Sequence, residues 1–419
     1  MLRWVLCLVT VSIFTNNYGQ VTANDSVSVN SGSSDMVFYD LSSGQKTITS
    51  NTDWHLALSV RPTQFPNAPL GGTTIRINEA NGVKVYYVPN ADAASFSTLD
   101  TTGFHSWRQL HDSDSTMDEG ALNSNRNKGN FFDFGWGLYS QVTHNVTGDS
   151  LYLFELPNGE VKKFIVESLI YDTAYNLKFS NVDNSGMQTV YLKKRDYLGR
   201  NFVYLNLSNT QLMNKEPLAS TWQLWFTKYA ATNVIPDTTY PVVGVLANTG
   251  TTIAARPGVP TASNDVSGIT ASNHFNGVGW DWKYYDFPST TYNIVDSLAY
   301  FVQNANAGYY KLVFTGYTSS TGVIRFYKEA VGGTGINDEK ANVISSVFPN
   351  PCSNTLNALF TEAAERTIEV YNLQGALLSS TVEGGSRAQL AVGELANGVY
   401  LLRVTQQGNS STQRFIINR

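Results

Sequence analysis

The chain of 419 residues carries a formal net charge of −5, and only 15% of its residues are charged. Nucleic-acid binding needs clustered Lys and Arg, which this sequence lacks, so that class of partner is excluded. The 33 glycines, with 23 tyrosines and 21 phenylalanines, are typical of β-rich extracellular proteins.

Residues 1–19 have the features of a secretory signal peptide. Arg3 precedes an apolar run that ends near Phe14, and small Gly19 closes the segment. The run is shorter than the ~20 residues that a membrane-spanning helix needs, and no later stretch qualifies, so no transmembrane segment is predicted. Cys7 lies in this leader and Cys352 lies far downstream, so the mature chain has no internal disulfide and must rely on its cores.

Residues 20–35 are rich in Ser, Asn, Thr and Gly, which predicts a flexible lead-in. From Met36 to about Gly199 the pattern indicates short strands broken by Asn, Gly and Pro turns, and no stretch indicates a helix. Asn81-Gly82, between two strand-like runs, is a strong hairpin signal.

Landmarks in the two halves of the chain recur in the same order, which predicts an internal duplication. Their strand-like runs alternate with the period of half-buried strands. We expect two related β-modules, at residues 36–199 and 200–331. The matched landmarks are the runs 36–42 and 202–208, then Trp54 and Trp222, then Gly135-Trp136 and Gly279-Trp280, then residues 148–152 and 295–299.

The first half is longer between its Trp and Gly-Trp landmarks, which places an insert near residues 101–130. Its carboxylates and histidines raise the question of a metal site. The spacing of the two histidines fits neither a helical zinc pair nor a calcium loop, so a solvated acidic loop is expected. The side chains in question are His105, His111, Asp112, Asp114, Asp118 and Glu119.

A glycine-rich linker at residues 332–341 precedes a C-terminal unit at residues 342–419. About seven short strands, bounded by turns, predict a small immunoglobulin-like sandwich there. Three segments of this unit stand out, residues 347–356, 368–375 and 395–404. Together they resemble the C-terminal sorting domain of type IX secretion cargo in Bacteroidetes. The resemblance implies export by the type IX machinery, removal of the domain by its sortase, and a protein released or anchored at the cell surface.

A second resemblance rests on segments between residues 36 and 331. They are residues 222–229, 243–248, 134–139, 143–145 and 148–150, together with the Tyr-rich strands up to Phe326. With these segments, residues 36–331 resemble the HmuY family of haem-capturing surface proteins. The resemblance implies an all-β fold of long antiparallel hairpins without catalysis. It also implies haem as the ligand and onward transfer to a TonB-dependent outer-membrane receptor.

Members of that family hold the haem iron by two axial histidine or methionine side chains. By alignment one ligand falls near Tyr285, and the other falls in the loop before Gly279, where only His274 could serve. His144 occupies nearly the equivalent place in the first copy, and tyrosine can ligate haem iron. The candidate axial ligands are therefore His274, Tyr285 and His144. Packing within an aromatic-rich strand is the alternative role for Tyr285, and a place in a turn is the alternative for His144.

No motif of a known enzyme class is present, and the chain is predicted not to be an enzyme. A glycosidase needs only two carboxylates brought together in space, so the sequence does not exclude that class of enzyme. The carboxylates available for such a pair are Asp133, Asp149, Glu155, Asp281, Asp286 and Asp296. The other interpretation of these carboxylates is that they are solvated at turns and strand ends.

The alternative to haem capture is an adhesin or structural surface protein that binds glycan or host protein through exposed Trp and Tyr.

Overall fold

The computed structural model describes residues 22–63, 69–235, 238–258, 260–303, 308–331, 343–372, 375–406 and 409–419. Within these ranges the chain forms strands and short 3-10 helices but no α-helix, which confirms the predicted all-β class. The predicted leader at residues 1–19 and the predicted linker at residues 332–341 lie outside the described residues. The 3-10 helices are Ser31–Ser33, Pro69–Gly72, Glu79–Asn81, Ala93–Ser97, Phe104–Ser106, Ala121–Asn123, Lys194–Tyr197 and Ala219–Thr221.

The named strands pair only in antiparallel fashion within the described ranges. In the first part of the chain they are β1 (Thr22–Ser28), β2 (Asp35–Tyr39), β3 (Lys46–Ser50), β4 (Leu56–Ser59), β5 (Ile75–Ile77), β6 (Lys84–Tyr87), β7 (Gln109–Leu110), β8 (Gly137–Tyr139), β9 (Val146–Gly148), β10 (Tyr152–Glu155), β11 (Val161–Ile170), β12 (Ala174–Asn181), β13 (Gln188–Lys193), β14 (Phe202–Asn206) and β15 (Gln211–Met213).

The later strands belong to the rest of the body and to the C-terminal unit. They are β16 (Leu224–Ile235), β17 (Thr238–Ala247), β18 (Thr252–Pro257), β19 (Lys283–Asp286), β20 (Thr291–Ile294), β21 (Leu298–Gln303), β22 (Tyr309–Thr318), β23 (Val323–Val331), β24 (Ile344–Phe348), β25 (Thr355–Phe360), β26 (Arg366–Asn372), β27 (Leu377–Glu383), β28 (Arg387–Ala391), β29 (Gly398–Gln406) and β30 (Asn409–Ile417).

A contiguous stretch, residues 54–213, forms what we call the inserted module. One of its sheets has the order β15-β14-β4-β5, and the other runs β13-β12-β11-β10-β6-β7 with β9 joined to β11 and β8 to β9. Apolar side chains of both sheets meet in one core, where Trp136, Tyr152 and Tyr175 are fully buried.

The split module is made of residues 22–50 and 222–331. Its sheets have the orders β17-β16-β2-β3 and β1-β23-β22-β21-β18. Tyr39 packs edge-on against Phe226 and Phe326 in the core between them. Residues 22–28, predicted as part of a flexible lead-in, instead form the edge strand β1, in which every residue pairs with a residue of β23.

The two modules have the same arrangement of strands, but the first three strands of each repeat lie in the module formed mainly by the other repeat. These strands are β1–β3 and β13–β15. Strand β2 pairs with β16, placing Tyr39 opposite Leu224, and β14 pairs with β4, placing Leu205 opposite Leu56. These pairs have the same register when residues 36–42 are matched to 202–208. Each core therefore combines strands from both sides of the boundary predicted at residues 199 and 200, since each run pairs with the Trp-bearing strand of the other half.

Side-chain contacts repeat as well. The Trp54 ring lies 5.0 Å from Tyr204, and Trp222 lies 4.9 Å from Phe38 in a matching edge-on contact. The buried amides of Asn78 and Asn248 donate to the main-chain carbonyls of Trp54 and Trp222, respectively. Such pairing of distant contacts supports the duplication.

The residue after each of these tryptophans accepts a matched main-chain hydrogen bond. The Leu207 N–H donates to His55 Nδ1 at 2.9 Å, and the Leu41 N–H donates to Gln223 Oε1 at 2.8 Å. His55 is 7% exposed, and burial lowers its pKa to about 4. Both side chains thus hold the end of a neighbouring strand, and His55 stays neutral while doing so.

The outer faces of the two four-stranded sheets pack on each other in a further apolar cluster. Its buried members include Phe38 and Trp225 from the split module, and Phe202 and Tyr204 from the inserted module. These sheets are therefore covered on both faces, and the runs predicted to be half-buried are almost entirely buried, for example over Met36–Tyr39.

The C-terminal unit has its own core. Its sheets, ordered β24-β25-β28 and β27-β26-β29-β30, enclose Leu356, Leu402 and Phe415. This arrangement agrees with the small sandwich predicted for residues 342–419. Cys352 is buried in that core, and its Sγ contacts the Ile416 carbonyl oxygen.

Candidate functional site

An exposed group of aromatic rings lies on the β19–β20 hairpin of the split module. We call residues 283–294, together with Tyr317 of β22, the aromatic hairpin. Phe287 at the turn is 80% exposed, and Tyr284, Tyr285 and Tyr292 are 54%, 40% and 37% exposed. Single exposed apolar side chains are normal, but a contiguous cluster of this kind marks an interaction surface.

The rings form a continuous series from the turn to the core. Phe287 lies 5.1 Å from Tyr285, Tyr285 lies 5.2 Å from Tyr292, and Tyr292 lies 5.0 Å from Tyr317, all edge-on. Tyr317 in turn contacts the buried Trp282 at 6.0 Å. The exposed rings are thus positioned by packing on one another and on a buried anchor, which limits the entropy lost on binding.

The buried Lys283 side chain anchors the first residue of this hairpin to the neighbouring main chain. Its Nζ donates to the Val243 carbonyl at 2.6 Å and to the Trp280 carbonyl at 3.3 Å. The amine lies 4.3 Å from the centre of the Trp282 ring, and burial lowers its pKa to about 7. Hydrogen bonds and ring contacts therefore fix the start of β19 relative to β17.

Tyr285 is the one predicted axial ligand that lies in this cluster. His274 is exposed in the loop before β19, where its carbonyl accepts from the Gly277 N–H. Within the described ranges no ring contact or hydrogen bond joins His274 to Tyr285 or to His144. The HmuY resemblance made His274 and Tyr285 candidate axial ligands in the second copy and His144 a candidate in the first, and this assignment stays a prediction.

His144 belongs to the counterpart hairpin, β8–β9, in the inserted module. Trp136 and Trp282 are the buried tryptophans that precede the two hairpins, so the structural match is with Trp282, whereas the landmarks paired Trp136 with Trp280. This match aligns Tyr139 with Tyr285, and His144 with Thr290. Both His144 and Thr290 have φ of 56°, so His144 does occupy a turn.

A cavity of about 190 Å³ lies beside His144. Tyr139 Oη lies 2.8 Å from His144 Nδ1, and the exposed Tyr171 ring lies 6.1 Å from the imidazole. The volume is below the roughly 300 Å³ at which small-molecule pockets begin, so this cavity does not enclose a haem. Its other lining residues include Thr73, Phe134, Val146 and Leu169.

The acidic insert is held by structural contacts. Asp112 is buried, accepts from the Ile77 and Ala121 N–H groups, and has a pKa raised to about 6 by burial. Asp114 is also buried and binds Thr232 of β16. The expectation of a solvated loop was therefore wrong for these two carboxylates. Within the described ranges no group of three or more His, Cys, Asp or Glu side chains could hold a metal ion.

Two of the carboxylates considered as a possible glycosidase pair make contacts at turns and strand ends. Asp133 accepts from the Asn127 and Gly135 N–H groups. Glu155 pairs with Lys84 and accepts from the Tyr86 hydroxyl. These contacts agree with the structural interpretation of both residues.

Comparisons with known proteins identify the C-terminal unit. Residues 346–418 match the family described as the secretion system C-terminal sorting domain, a range that spans nearly all of the β24–β30 sandwich. No curated protein matches the chain significantly. No helix among the described residues is long and apolar enough to cross a membrane. The chain therefore carries a type IX secretion C-terminal sorting domain and is a secreted or cell-surface protein that engages the type IX machinery.

Proposed function

We propose that residues 22–331 form a surface binding protein of the adhesin class, which holds glycan on the aromatic hairpin. The observation that carries this proposal is the exposed series Phe287, Tyr285 and Tyr292, braced by Tyr317. Flat aromatic faces stack on the apolar faces of sugar rings, and tyrosine hydroxyls add hydrogen bonds. The proposal assigns no catalytic step.

The shape of the surface favours a ligand that lies on it. The rings lie on a two-stranded hairpin with much of their area in solvent, whereas a buried cofactor needs an enclosing pocket. Export by the sorting domain would present this surface outside the cell. A glycan or a glycosylated host protein is a ligand that an exposed aromatic surface can hold without an iron ligand.

Glycan binding is tested with the double variant Y285A/F287A. Binding of the purified protein to immobilised mucin glycans should fall at least tenfold, while the urea transition stays cooperative, because Phe287 is 80% exposed and Tyr285 is 40% exposed. Tyr191→Ala is the matched control, since Tyr191 is 55% exposed on β13 and lies outside the hairpin. Wild-type protein that does not bind, or equal loss in both variants, would contradict the proposal.

Haem capture of the HmuY type, with transfer to a TonB-dependent receptor, is the second candidate. It is favoured by His144, whose Nδ1 is hydrogen bonded to Tyr139 beside a partly apolar cavity and an exposed tyrosine. A histidine oriented through one ring nitrogen can present the other to iron. Haem would then rest on the surface above the cavity, with His144 as one axial ligand.

A haemin titration separates the two candidates. Haem capture predicts a shifted Soret band that is lost in His144→Ala, and Tyr285→Phe and His274→Ala test the other two predicted ligands. Glycan binding predicts no Soret shift in either redox state. A shift that survives all three substitutions would refute this ligand assignment.

A further inference from the structure

A lysine, an asparagine and a glutamate are brought together at one edge of the split-module core. Lys311 lies on β22 directly opposite Glu329 on β23, and its Nζ is 3.0 Å from Glu329 Oε2. The same amine donates to Asn264 Oδ1, and Asn264 Nδ2 donates to Glu329 Oε1 at 2.8 Å. The three polar groups therefore form a closed ring of hydrogen bonds.

This cluster is largely shielded from water on its strand side. The Lys311 side chain is 1% exposed, and that of Glu329 is 7% exposed. Tyr327 donates its hydroxyl to Glu329 Oε2 at 2.9 Å, and its ring centre is 5.6 Å from the amine. Asn264 reaches the cluster from the exposed loop that follows β18. A buried amine held against an amide carbonyl has the proximity that an intramolecular reaction requires.

We propose that Lys311 and Asn264 join in a spontaneous isopeptide bond promoted by Glu329. Although burial acts to raise it, hydrogen bonds from Lys311, Asn264 and Tyr327 hold the pKa of Glu329 below its usual range, so the carboxylate is the resting form. Proton transfer along the contact from Lys311 Nζ to Glu329 yields the neutral amine and the neutral carboxylic acid that the reaction consumes, and the low exposure of both side chains reduces the cost of this step. The amine attacks Asn264 Cγ while the acid protonates the carbonyl oxygen. The carboxylate then takes a proton from the attacking nitrogen and passes it to Nδ2, which leaves as ammonia while the hydroxyl gives up its proton and the carbonyl reforms. The new bond is Cγ–Nζ, the broken bond is Cγ–Nδ2, and the ammonia released carries away the surplus proton as ammonium.

The inserted module provides a natural comparison. Lys163 is the third residue of β11, as Lys311 is the third residue of β22, and its Nζ also donates to an asparagine, Asn184. Opposite Lys163, however, stands Ser180, where the split module has Glu329. Both amines also donate to a main-chain carbonyl, Lys163 to that of Phe96 at 2.9 Å and Lys311 to that of Ser263 at 3.5 Å. Because no carboxylate bonds the Lys163 amine within the described ranges, Lys163 and Asn184 remain a hydrogen-bonded pair.

Peptide mapping of the purified full chain tests the bond. Trypsin does not cleave after an acylated lysine, so the expected product is a branched peptide in which residues 229–283 are joined through Asn264 to Lys311 within residues 284–325. Its mass is the sum of the two parts less one ammonia. The branch is the readout because succinimide formation and cyclisation of an N-terminal glutamine also remove ammonia. A wild-type digest in which residues 284–311 appear as a free peptide would overturn the proposal.

Two variants test the part played by the carboxylate. Glu329→Gln should abolish the branched peptide, with a cooperative urea transition showing that the chain still folds. Ser180→Glu should create a second branch between Lys163 and Asn184, which is absent from the wild-type digest. A branch that persists in Glu329→Gln would overturn the role of Glu329, and the wild-type digest decides the bond itself even if that variant does not fold.

Discussion

Replacing His55 by glutamine should make the protein less sensitive to acid. His55 and Gln223 occupy matched positions, and each accepts a hydrogen bond from a leucine N–H. His55→Gln therefore keeps an acceptor that the other module already uses in the same place. It removes the one group at this position that can gain a proton.

The sign and size of the effect follow from burial. Burial lowers the folded-state pKa of His55 to about 4 from its ordinary 6.5, so between these values the unfolded chain binds more protons. The contribution of neutral His55 to the free energy of unfolding is thus complete above pH 6.5 and is lost as pH falls through 4. At about 1.36 kcal/mol per pKa unit the loss is about 3 kcal/mol, which partial solvation of the ring reduces to about 2 kcal/mol.

Urea denaturation near neutral pH and near pH 4 measures this loss directly. Between the two conditions the unfolding free energy of His55→Gln should fall by about 2 kcal/mol less than that of the wild type. Gln223→His is the matched control, and it should gain the acid sensitivity that His55→Gln loses. An equal fall in wild type and His55→Gln would refute the argument that His55 is held neutral in the folded state.

Three further predictions concern packing and export. Trp222→Ala should lower the unfolding free energy by ~3–5 kcal/mol in urea denaturation, because the indole is 2% exposed, and an unchanged curve would contradict its central place. Gly148→Ala should yield insoluble or partly unfolded protein on gel filtration, since a Cβ there would lie 1.7 Å from the Val166 carbonyl oxygen, whereas Gly384→Ala meets nothing within 4 Å and should behave as wild type. Deleting residues 343–419 should leave the protein inside the cell in immunoblots of cell fractions, and export of the truncated chain would contradict this expectation. Mass spectrometry of the surface or released form should find neither the leader nor residues near Phe415, and C-terminal peptides on that form would contradict removal of the sorting domain.

Strand positions could be predicted from the sequence, but strand partners could not. Residues 36–42 and residues 202–208 have similar sequences, so either run could pair with the Trp-bearing strand of either half. A short turn decides the outcome, because β12 leads directly into β13, which pairs with it and carries β14 into the inserted module. Period-2 alternation likewise could not reveal that a third layer covers the outer face of β2, since that cover depends on how the two modules pack.

Candidate site residues were predictable by type more than by arrangement. The aromatic-rich strand around Tyr285 was visible in the sequence, but exposure of its rings depends on a hairpin whose strands pair with each other and not with the larger sheets. Lys311 and Glu329 lie 18 positions apart, and only the register of β22 with β23 places them face to face. Asn264 then reaches them from a loop, which no local pattern indicates.

The exchange of strands β1–β3 with β13–β15 has a consequence for how such a chain can be divided. A polypeptide with only one repeat has a Trp-bearing strand with no partner and an N-terminal arm with no sheet to join. It could satisfy both only by trading arms with a second copy, as in a domain-swapped dimer. In the tandem chain the same trade is intramolecular, so its completion is governed by the connecting segment between the repeats and is independent of protein concentration.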